Sequence, residues 1–167
     1  TVGKAVARRL GYLYVDSGAV YRAVGLKALN VGASFEDRAT LGAIALDASI
    51  ELQGDPDHLR VLLDGQDVTS EIRLAAASRA SSVVATTPEV RDAVVQKLRD
   101  MSRERGVVMD GRDIGTKVFP NAQVKVFLDA SLDVRARRRC EEDRKRGREV
   151  SIEEVGAELE ERDRRDT

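Results

Sequence analysis

Val107-Val-Met-Asp-Gly-Arg-Asp-Ile-Gly-Thr116 is the stretch that decides the fold of this chain of 167 residues. Three apolar residues precede a turn in which two acids and an arginine surround Gly111. A short apolar run is typical of a strand in a buried parallel sheet, and open α/β sheets bind ligands where such strands end. The stretch therefore predicts an α/β fold with a site for an anion and a metal at the carboxyl end of this strand.

Composition limits the class of protein. Hydrophobic residues make up 42% of the chain, which is enough to fill the core of one domain. Acidic and basic residues nearly cancel to a net charge of -1, so we expect neither a nucleic-acid nor a membrane partner. The single cysteine, Cys140, excludes an internal disulfide and favours a reducing compartment. Because no apolar run is long enough to span a membrane, we expect a cytoplasmic protein.

The order of the predicted elements is that of a parallel α/β sheet followed by an insertion. Helix and strand alternate first, and short alternating strands separated by turn residues then predict a small antiparallel sheet. The predicted elements are a helix over 1–10, a strand over 12–15, a helix over 19–30, and strands over 48–52, 59–63 and 66–68. We therefore divide the chain into a core, 1–33 and 86–167, and an inserted subdomain, 34–85.

The second half of the chain predicts one more buried strand and further helices. Pro88 opens an amphipathic helix that we expect to reach Arg105. The run Val124–Leu128 has the composition of a buried strand. Ser151-Ile-Glu-Glu154 is a capping box that starts the last helix. The charged segment 141–149 has no predicted core face.

Five motifs of chemically active residues occur in order along the chain. Taken singly, each has an ordinary interpretation, because charged residues are mostly solvated and acidic glycine-containing segments are common in turns. The motifs are Asp16-Ser-Gly-Ala-Val-Tyr-Arg22, Leu63-Asp-Gly-Gln-Asp-Val-Thr-Ser-Glu-Ile-Arg73, Ser82 followed by Arg91, Asp110-Gly-Arg-Asp-Ile-Gly-Thr116, and Arg162-Asp-Arg-Arg-Asp166. Their joint occurrence is specific.

Together the motifs resemble the bacterial-type cytidylate kinases, a family of P-loop nucleoside monophosphate kinases, over residues 1–167. The resemblance implies a P-loop NTPase-type parallel sheet with flanking helices, an inserted CMP-binding subdomain over 34–85 and a short helical lid at about 137–150. That family carries a Gly-x-x-x-x-Gly-Lys-Ser/Thr loop before its first helix, and Thr1 resembles the residue just after this loop. We therefore expect a fragment that lacks the P-loop and the first and last strands, and is inactive as given.

The reaction that the resemblance implies is transfer of the γ-phosphoryl group of ATP to the 5′-phosphate of CMP or dCMP. The acceptor phosphate is largely ionised near neutral pH, since its second pKa is about 6, so no general base is required. Arginine suits such a site because its planar guanidinium binds phosphate oxygens bidentately. We expect Mg²⁺ as the cofactor, ATP as the co-substrate, small-molecule nucleotides as the partners, and a monomer.

The resemblance also assigns individual residues. The catalytic set that it implies is Arg22, Asp110, Arg112 and Arg162. The CMP-binding set is Ser17, Tyr21, Arg22, Ser82, Arg91, Arg112, Asp113, Arg162 and Asp166. The ATP and lid set is Arg135, Arg138 and Arg139. For Mg²⁺, held through water, the candidates are Asp110 and Asp16, of which we favour Asp110.

Two other functions remain open at this point. Without a P-loop the chain could be a non-catalytic CMP-binding module, which would bind CMP but not ATP. Alternatively, the arginine-rich stretch 135–148 could bind nucleic acid, with an affinity that falls steeply as salt rises. Acidic residues interleave with these arginines, which favours a salt-bridged solvated helix over the nucleic-acid site.

Overall fold

The computed structural model describes residues 2–103, 106–145 and 147–166, without the side chains of 162, 165 and 166. The chain forms two compact units, Thr1–Gln123 and Val124–Thr167. In chain order the elements are α1 (Val2–Leu10), β1 (Leu13–Asp16), α2 (Ser17–Asn30), α3 (Arg38–Asp47), β2 (Ile50–Gln53), β3 (Arg60–Leu63), β4 (Gln66–Asp67), a 3₁₀ turn (Glu71–Arg73), α4 (Ala75–Val84), α5 (Pro88–Asp100), β5 (Val107–Asp110), a π-helical turn (Ile114–Val118), α6 (Leu132–Lys145) and α7 (Ile152–Asp166).

The centre of the first unit is a parallel pair of strands. β1 and β5 run side by side, with Leu13 opposite Val107 and Asp16 opposite Asp110. Helices α1 and α2 contact this pair, and the side chains of Val15, Val20 and Val24 are completely buried in the core. The parallel α/β framework predicted from the sequence is thus confirmed, and the pairing puts the carboxyl ends of both strands at one edge.

The predicted antiparallel insertion is also present, as the three-stranded sheet β2–β3–β4. Asp64 and Gly65 join β3 to β4 with φ angles of 50° and 81°, the left-handed geometry of a tight two-residue hairpin. The Asp64 carboxylate accepts hydrogen bonds from the Ser49 backbone amide at 2.9 Å and pairs with the Lys27 ammonium at 2.9 Å. Since Lys27 belongs to α2, this turn connects the insertion to the helix that follows β1.

Helices α2 and α4 pack closely because Gly25 has no side chain. A Cβ atom at Gly25 would lie 2.8 Å from the Ser81 backbone nitrogen and 3.1 Å from the Ala80 carbonyl carbon. Both atoms belong to the backbone of α4, which cannot yield as a flexible side chain can. The glycine therefore sets the separation between α2 and α4.

Two predictions about the second unit are wrong. The run Val124–Leu128 belongs to neither sheet of the described residues, and its apolar side chains are exposed, Phe127 to 91%. An apolar run becomes a strand only when a neighbouring strand pairs with its backbone, and among the described residues this run has no strand assignment. The segment 141–149 does have a buried side chain, because Asp143 is only 3% exposed beside a small core of Ala136, Cys140 and Val155.

None of the helices in the described ranges combines the length and the apolar composition that are needed to cross a membrane.

We expect Gly25→Ala to lower the free energy of unfolding by about 1–3 kcal/mol, because the added methyl group overpacks the contact between α2 and α4. The higher helix propensity of alanine would by itself raise the free energy of unfolding by up to about 1 kcal/mol. The matched control is Gly156→Ala within α7, where a Cβ atom meets nothing within 4 Å. This variant should therefore show only the increase in stability that helix propensity gives. Urea unfolding followed by circular dichroism measures both, and a stabilised Gly25→Ala variant would contradict the packing argument.

The hairpin should lose part of its stability in acid. Hydrogen bonds from the Thr69 hydroxyl and backbone amide and from Arg60 lower the pKa of Asp67 to about 2. A carboxyl group whose pKa falls on folding contributes stability above its unfolded value, about 3.9, and this contribution disappears as the pH drops toward the folded value. We expect the difference in urea midpoint between the wild type and Asp67→Asn to shrink over this range, whereas a constant difference would disprove the assignment.

Candidate active site

The carboxyl ends of β1 and β5 bring two of the sequence motifs into contact. Ser17 is the first residue of α2, and Gly111 directly follows β5. A Cβ atom at Gly111 would overlap the Ser17 hydroxyl oxygen, so no other residue fits here without displacement. Ser17 is itself buried. The motifs 16–22 and 110–116, distant in sequence, therefore form one surface at this edge of the sheet.

The first pair of charges at this edge is Asp16 with Arg22. The Arg22 Nη2 atom donates to Asp16 Oδ2 at 2.9 Å, and the Arg22 side chain is 24% exposed. The other carboxylate oxygen of Asp16 accepts a hydrogen bond from the Ala19 backbone amide at 3.1 Å, which caps α2. The guanidinium is thus held about one and a half helical turns into α2, beyond the end of β1.

The second pair is Arg91 with Asp113, and Tyr21 lies beside it. The Arg91 Nη2 atom donates to Asp113 Oδ2 at 2.5 Å, and Arg91 Nη1 donates to the Ala85 carbonyl oxygen at 3.4 Å. Burial raises the pKa of Tyr21, while the positive charge of Arg91 lowers it and the negative charge of Asp113 raises it. Three residues of the predicted CMP-binding set therefore lie within electrostatic reach of one another.

Two other members of the predicted CMP set lie on segments that lead to these pairs. The Ser82 hydroxyl donates to the Ser78 carbonyl oxygen at 3.2 Å within α4, three residues before Ala85. Arg112 is exposed and follows Gly111 directly at the strand end. The side chains of Arg162 and Asp166, also predicted for this set, lie outside the described residues.

Asp110 lies against the first turn of α1. The Tyr14 hydroxyl donates to Asp110 Oδ2 at 2.6 Å, and a Cβ atom at Gly3 would lie 2.9 Å from both carboxylate oxygens. A hard oxygen donor such as this carboxylate suits Mg²⁺, which proteins commonly hold through one or two carboxylates, waters and substrate phosphates. The described residues contain no cluster of three or more metal-binding side chains, so such an ion would depend on water and phosphate oxygens for its remaining ligands.

The arginines predicted for the lid lie in the second unit and differ in their surroundings. Arg135 pairs with Asp163 at 2.7 Å, and Arg139 Nε donates to the buried Asp143 at 3.2 Å. Arg148 donates to the other oxygen of Asp143 at 3.3 Å. Arg138 is exposed. Arg144, near the end of α6, and residues 147–151 line an open depression of about 710 Å³.

Two polar residues that order these regions, Tyr14 and Asp143, lie outside the five sequence motifs. Tyr14 lies in the strand predicted over 12–15, and its hydrogen bond to Asp110 depends on the register of β1 with β5. Acidic and basic neighbours in the sequence predict a solvated side chain for Asp143, whereas the structure buries it. An aspartate spaced four residues after Arg139 and five before Arg148 is a weak signal for the arrangement that the structure shows.

Comparison with known proteins agrees with this geometry. The sequence model of the cytidylate kinase family matches residues 1–167. The cytidylate kinase of Pelotomaculum thermopropionicum is 49% identical over 168 residues, covering 100% of this chain and 74% of the relative. That of Symbiobacterium thermophilum is 49% identical over 167 residues, covering 99% of this chain and 74% of the relative. That of Caldanaerobacter subterraneus subsp. tengcongensis is 48% identical over 167 residues, covering 100% and 73%.

An α/β sheet whose strand ends carry paired arginines and aspartates defines, with these similarities, a nucleoside monophosphate kinase. Within that class the chain belongs to the cytidylate kinase family, and it spans about three quarters of the length of these relatives. The predicted family is therefore confirmed. No observation on the described residues favours a non-catalytic module.

We expect the pKa of Tyr21 to report the neighbouring pair. Arg91→Met removes a positive charge and should raise this pKa further, whereas Asp113→Asn removes a negative charge and should lower it. Chemical shifts of ¹³Cζ-labelled tyrosine followed against pH measure both changes. The control is Arg60→Met, which removes an arginine from the separate ion pair with Asp67 and should leave the pKa of Tyr21 unchanged. Shifts of the same sign in the Arg91 and Asp113 variants would refute the arrangement.

Proposed function

We propose that the protein transfers the γ-phosphoryl group of ATP to the 5′-phosphate of CMP or dCMP, giving CDP or dCDP. The observation that carries the proposal is the contact between Ser17 and Gly111, which brings the Asp16–Arg22 pair and the Asp113–Arg91 pair to one strand edge. In the first pair, Arg22 supplies a cation for a phosphate group. In the second pair, Arg91 can donate a hydrogen bond to a base and Asp113 can accept one. The chain's membership of the cytidylate kinase family supports the same reaction.

The chemistry needs charge neutralisation more than proton transfer. An oxygen of the CMP phosphate forms a bond to the γ-phosphorus of ATP, the bond to the β-phosphate oxygen breaks, and ADP leaves. Arg22 and Arg112 bind the acceptor phosphate and orient its oxygen toward the γ-phosphorus. Mg²⁺, held through water by Asp110 or Asp16, would neutralise part of the charge on the phosphates of ATP.

The Arg91–Asp113 pair, together with Ser82, accounts for a preference for cytosine. The carboxylate of Asp113 can accept a hydrogen bond from the exocyclic amine of cytosine, while Arg91 and the Ser82 hydroxyl donate to the ring nitrogen and carbonyl. Uracil has a carbonyl in place of that amine, so it would face the Asp113 carboxylate with a second acceptor. Ser17 and Tyr21 complete the lining of the same pocket.

The remaining assignments extend the proposal to the rest of the chain. Arg162 contacts the phosphates and Asp166 binds the ribose hydroxyls of CMP, while Arg135, Arg138 and Arg139 bind ATP. The subdomain 34–85 serves CMP binding, 1–33 and 86–167 form the kinase core, and about 137–150 is the lid. The protein acts as a cytoplasmic monomer on small-molecule nucleotides, with neither nucleic acid nor membrane as a partner.

We expect the complete gene product to phosphorylate CMP and dCMP far better than UMP in an assay coupled to ADP release. Asp113→Asn should reduce the ratio of kcat/KM between CMP and UMP by about 10-fold or more, since a missing or mismatched hydrogen bond to a charged group is worth about 1.5–3 kcal/mol. Asp100→Asn, at the far end of α5, is the matched control and should leave the ratio unchanged.

Two results would overturn the proposal. Equal turnover of UMP and CMP by the wild type would remove the base-reading function of Arg91 and Asp113. Calorimetric binding of CMP without any phosphoryl transfer would favour the non-catalytic module instead.

A further inference from the structure

The carboxylate of Asp16 makes two different contacts, one with each oxygen. Oδ1 accepts from the Ala19 backbone amide at 3.1 Å and caps α2, while Oδ2 accepts from Arg22 Nη2 at 2.9 Å. A single side chain thus fixes both the start of the helix and a guanidinium that the same helix carries one turn and a half later. These contacts occupy both oxygens of the carboxylate.

The hydrogen bond to Asp16 is the main interaction that holds the Arg22 guanidinium in place. The Arg22 Nε atom is buried and has no hydrogen-bond partner among the described residues. Gly18 leaves room beside the pair, because a Cβ atom there would lie 3.0 Å from Asp16 Oδ1 and 3.1 Å from Arg22 Nη1, close enough to make both side chains shift. Without the carboxylate, a guanidinium that is 24% exposed would be free to rotate toward solvent.

We infer that Asp16 is a positioning residue for phosphate binding: it holds the Arg22 guanidinium in the orientation that receives the CMP phosphate. The inference rests on the proposed function, in which Arg22 binds that phosphate. It assigns Asp16 to the acceptor side of the reaction, which leaves Asp110 as the carboxylate for Mg²⁺. Asp16 acts through Arg22 and not by touching the substrate.

Whether neutralising Asp16 weakens or strengthens CMP binding distinguishes a positioning role from a purely electrostatic one. A carboxylate near a phosphate site repels the dianion, so neutralising Asp16 would by Coulomb's law alone strengthen CMP binding. If Asp16 instead orients Arg22, the same change weakens binding, because a misplaced guanidinium loses its contact with the phosphate. Loss of affinity is therefore the outcome that electrostatics does not predict.

The test is calorimetric titration of the complete gene product with CMP. Asp16→Asn keeps the helix cap, since asparagine caps as well as aspartate, but removes the charge. We expect it to weaken CMP binding about 10-fold, well within what misplacement of a binding group can cost. In an Arg22→Met background the same change should have no further effect, because two residues that act as a unit are not additive.

The chain offers a matched control in Asp37, which caps α3 with the same geometry. Its Oδ1 atom accepts from the Thr40 backbone amide at 3.1 Å, and Oδ2 accepts from the Thr40 hydroxyl rather than from an arginine. Asp37→Asn should leave CMP affinity unchanged. Thermal unfolding of each variant verifies that the fold is retained, and Asp16→Ser, which also caps, replaces the asparagine variant if the latter does not fold.

Each contrary result identifies what fails. Unchanged or tighter CMP binding by Asp16→Asn, or an equal loss with and without Arg22, would overturn the positioning inference while leaving the proposed function intact. An Arg22→Met variant that binds CMP as the wild type does would remove the phosphate contact proposed for Arg22, and this inference with it.

Discussion

The parallel pairing of β1 with β5 is the constraint on which the rest of the first unit depends. Because the two strands run in the same direction with Asp16 opposite Asp110, both end at one edge, and the loops that follow them meet there. The contact between Gly111 and the Ser17 hydroxyl is possible only without a side chain at residue 111. Each of the two arginine–aspartate pairs proposed to bind CMP includes an aspartate at or just after one of these strand ends.

The insertion is tied to this edge through α2. Burial lowers the pKa of Lys27, but its hydrogen bonds to Asp47 and Asp64 outweigh this effect, so the pKa is raised and the ammonium stays charged. Lys27 pairs with Asp47 at 2.8 Å and Asp64 at 2.9 Å, which links α3 and the hairpin to the helix that carries Arg22. Close packing at Gly25 adds α4 to the same helix. Helix α2 therefore contacts α3, the hairpin and α4, and it also carries Arg22 at the carboxyl end of the parallel strands.

Charge compensation is a common feature of both units. In the first, Arg22 and Arg91 each face an aspartate, so neither guanidinium lacks a counter-ion before substrate binds. In the second, the buried carboxylate of Asp143 receives Arg139 and Arg148. A partly buried guanidinium that is already oriented loses less freedom when a phosphate or a base arrives, which is how preorganisation raises affinity.

The local elements could be read from the sequence with little error. The capping box at Ser151 is present as predicted, with the Ser151 hydroxyl accepting from the Glu154 amide at 3.1 Å, and the Asp64-Gly65 turn and the strand before Gly111 are where the pattern puts them. Such elements depend on interactions within a few residues. The helix after Pro88 ends at Asp100, short of the predicted Arg105, because helix ends depend on weaker signals.

By itself, the sequence determined the α/β class, the antiparallel insertion and the family, since these follow from local patterns and ordered motifs. Only the tertiary structure decided that Val124–Leu128 is exposed, that Asp143 is buried, and that Tyr14 binds Asp110. It also decided that Asp16 holds Arg22 while Asp113 holds Arg91. The physical reason is that pairing and burial depend on what lies across the fold, and residues far apart in sequence supply it.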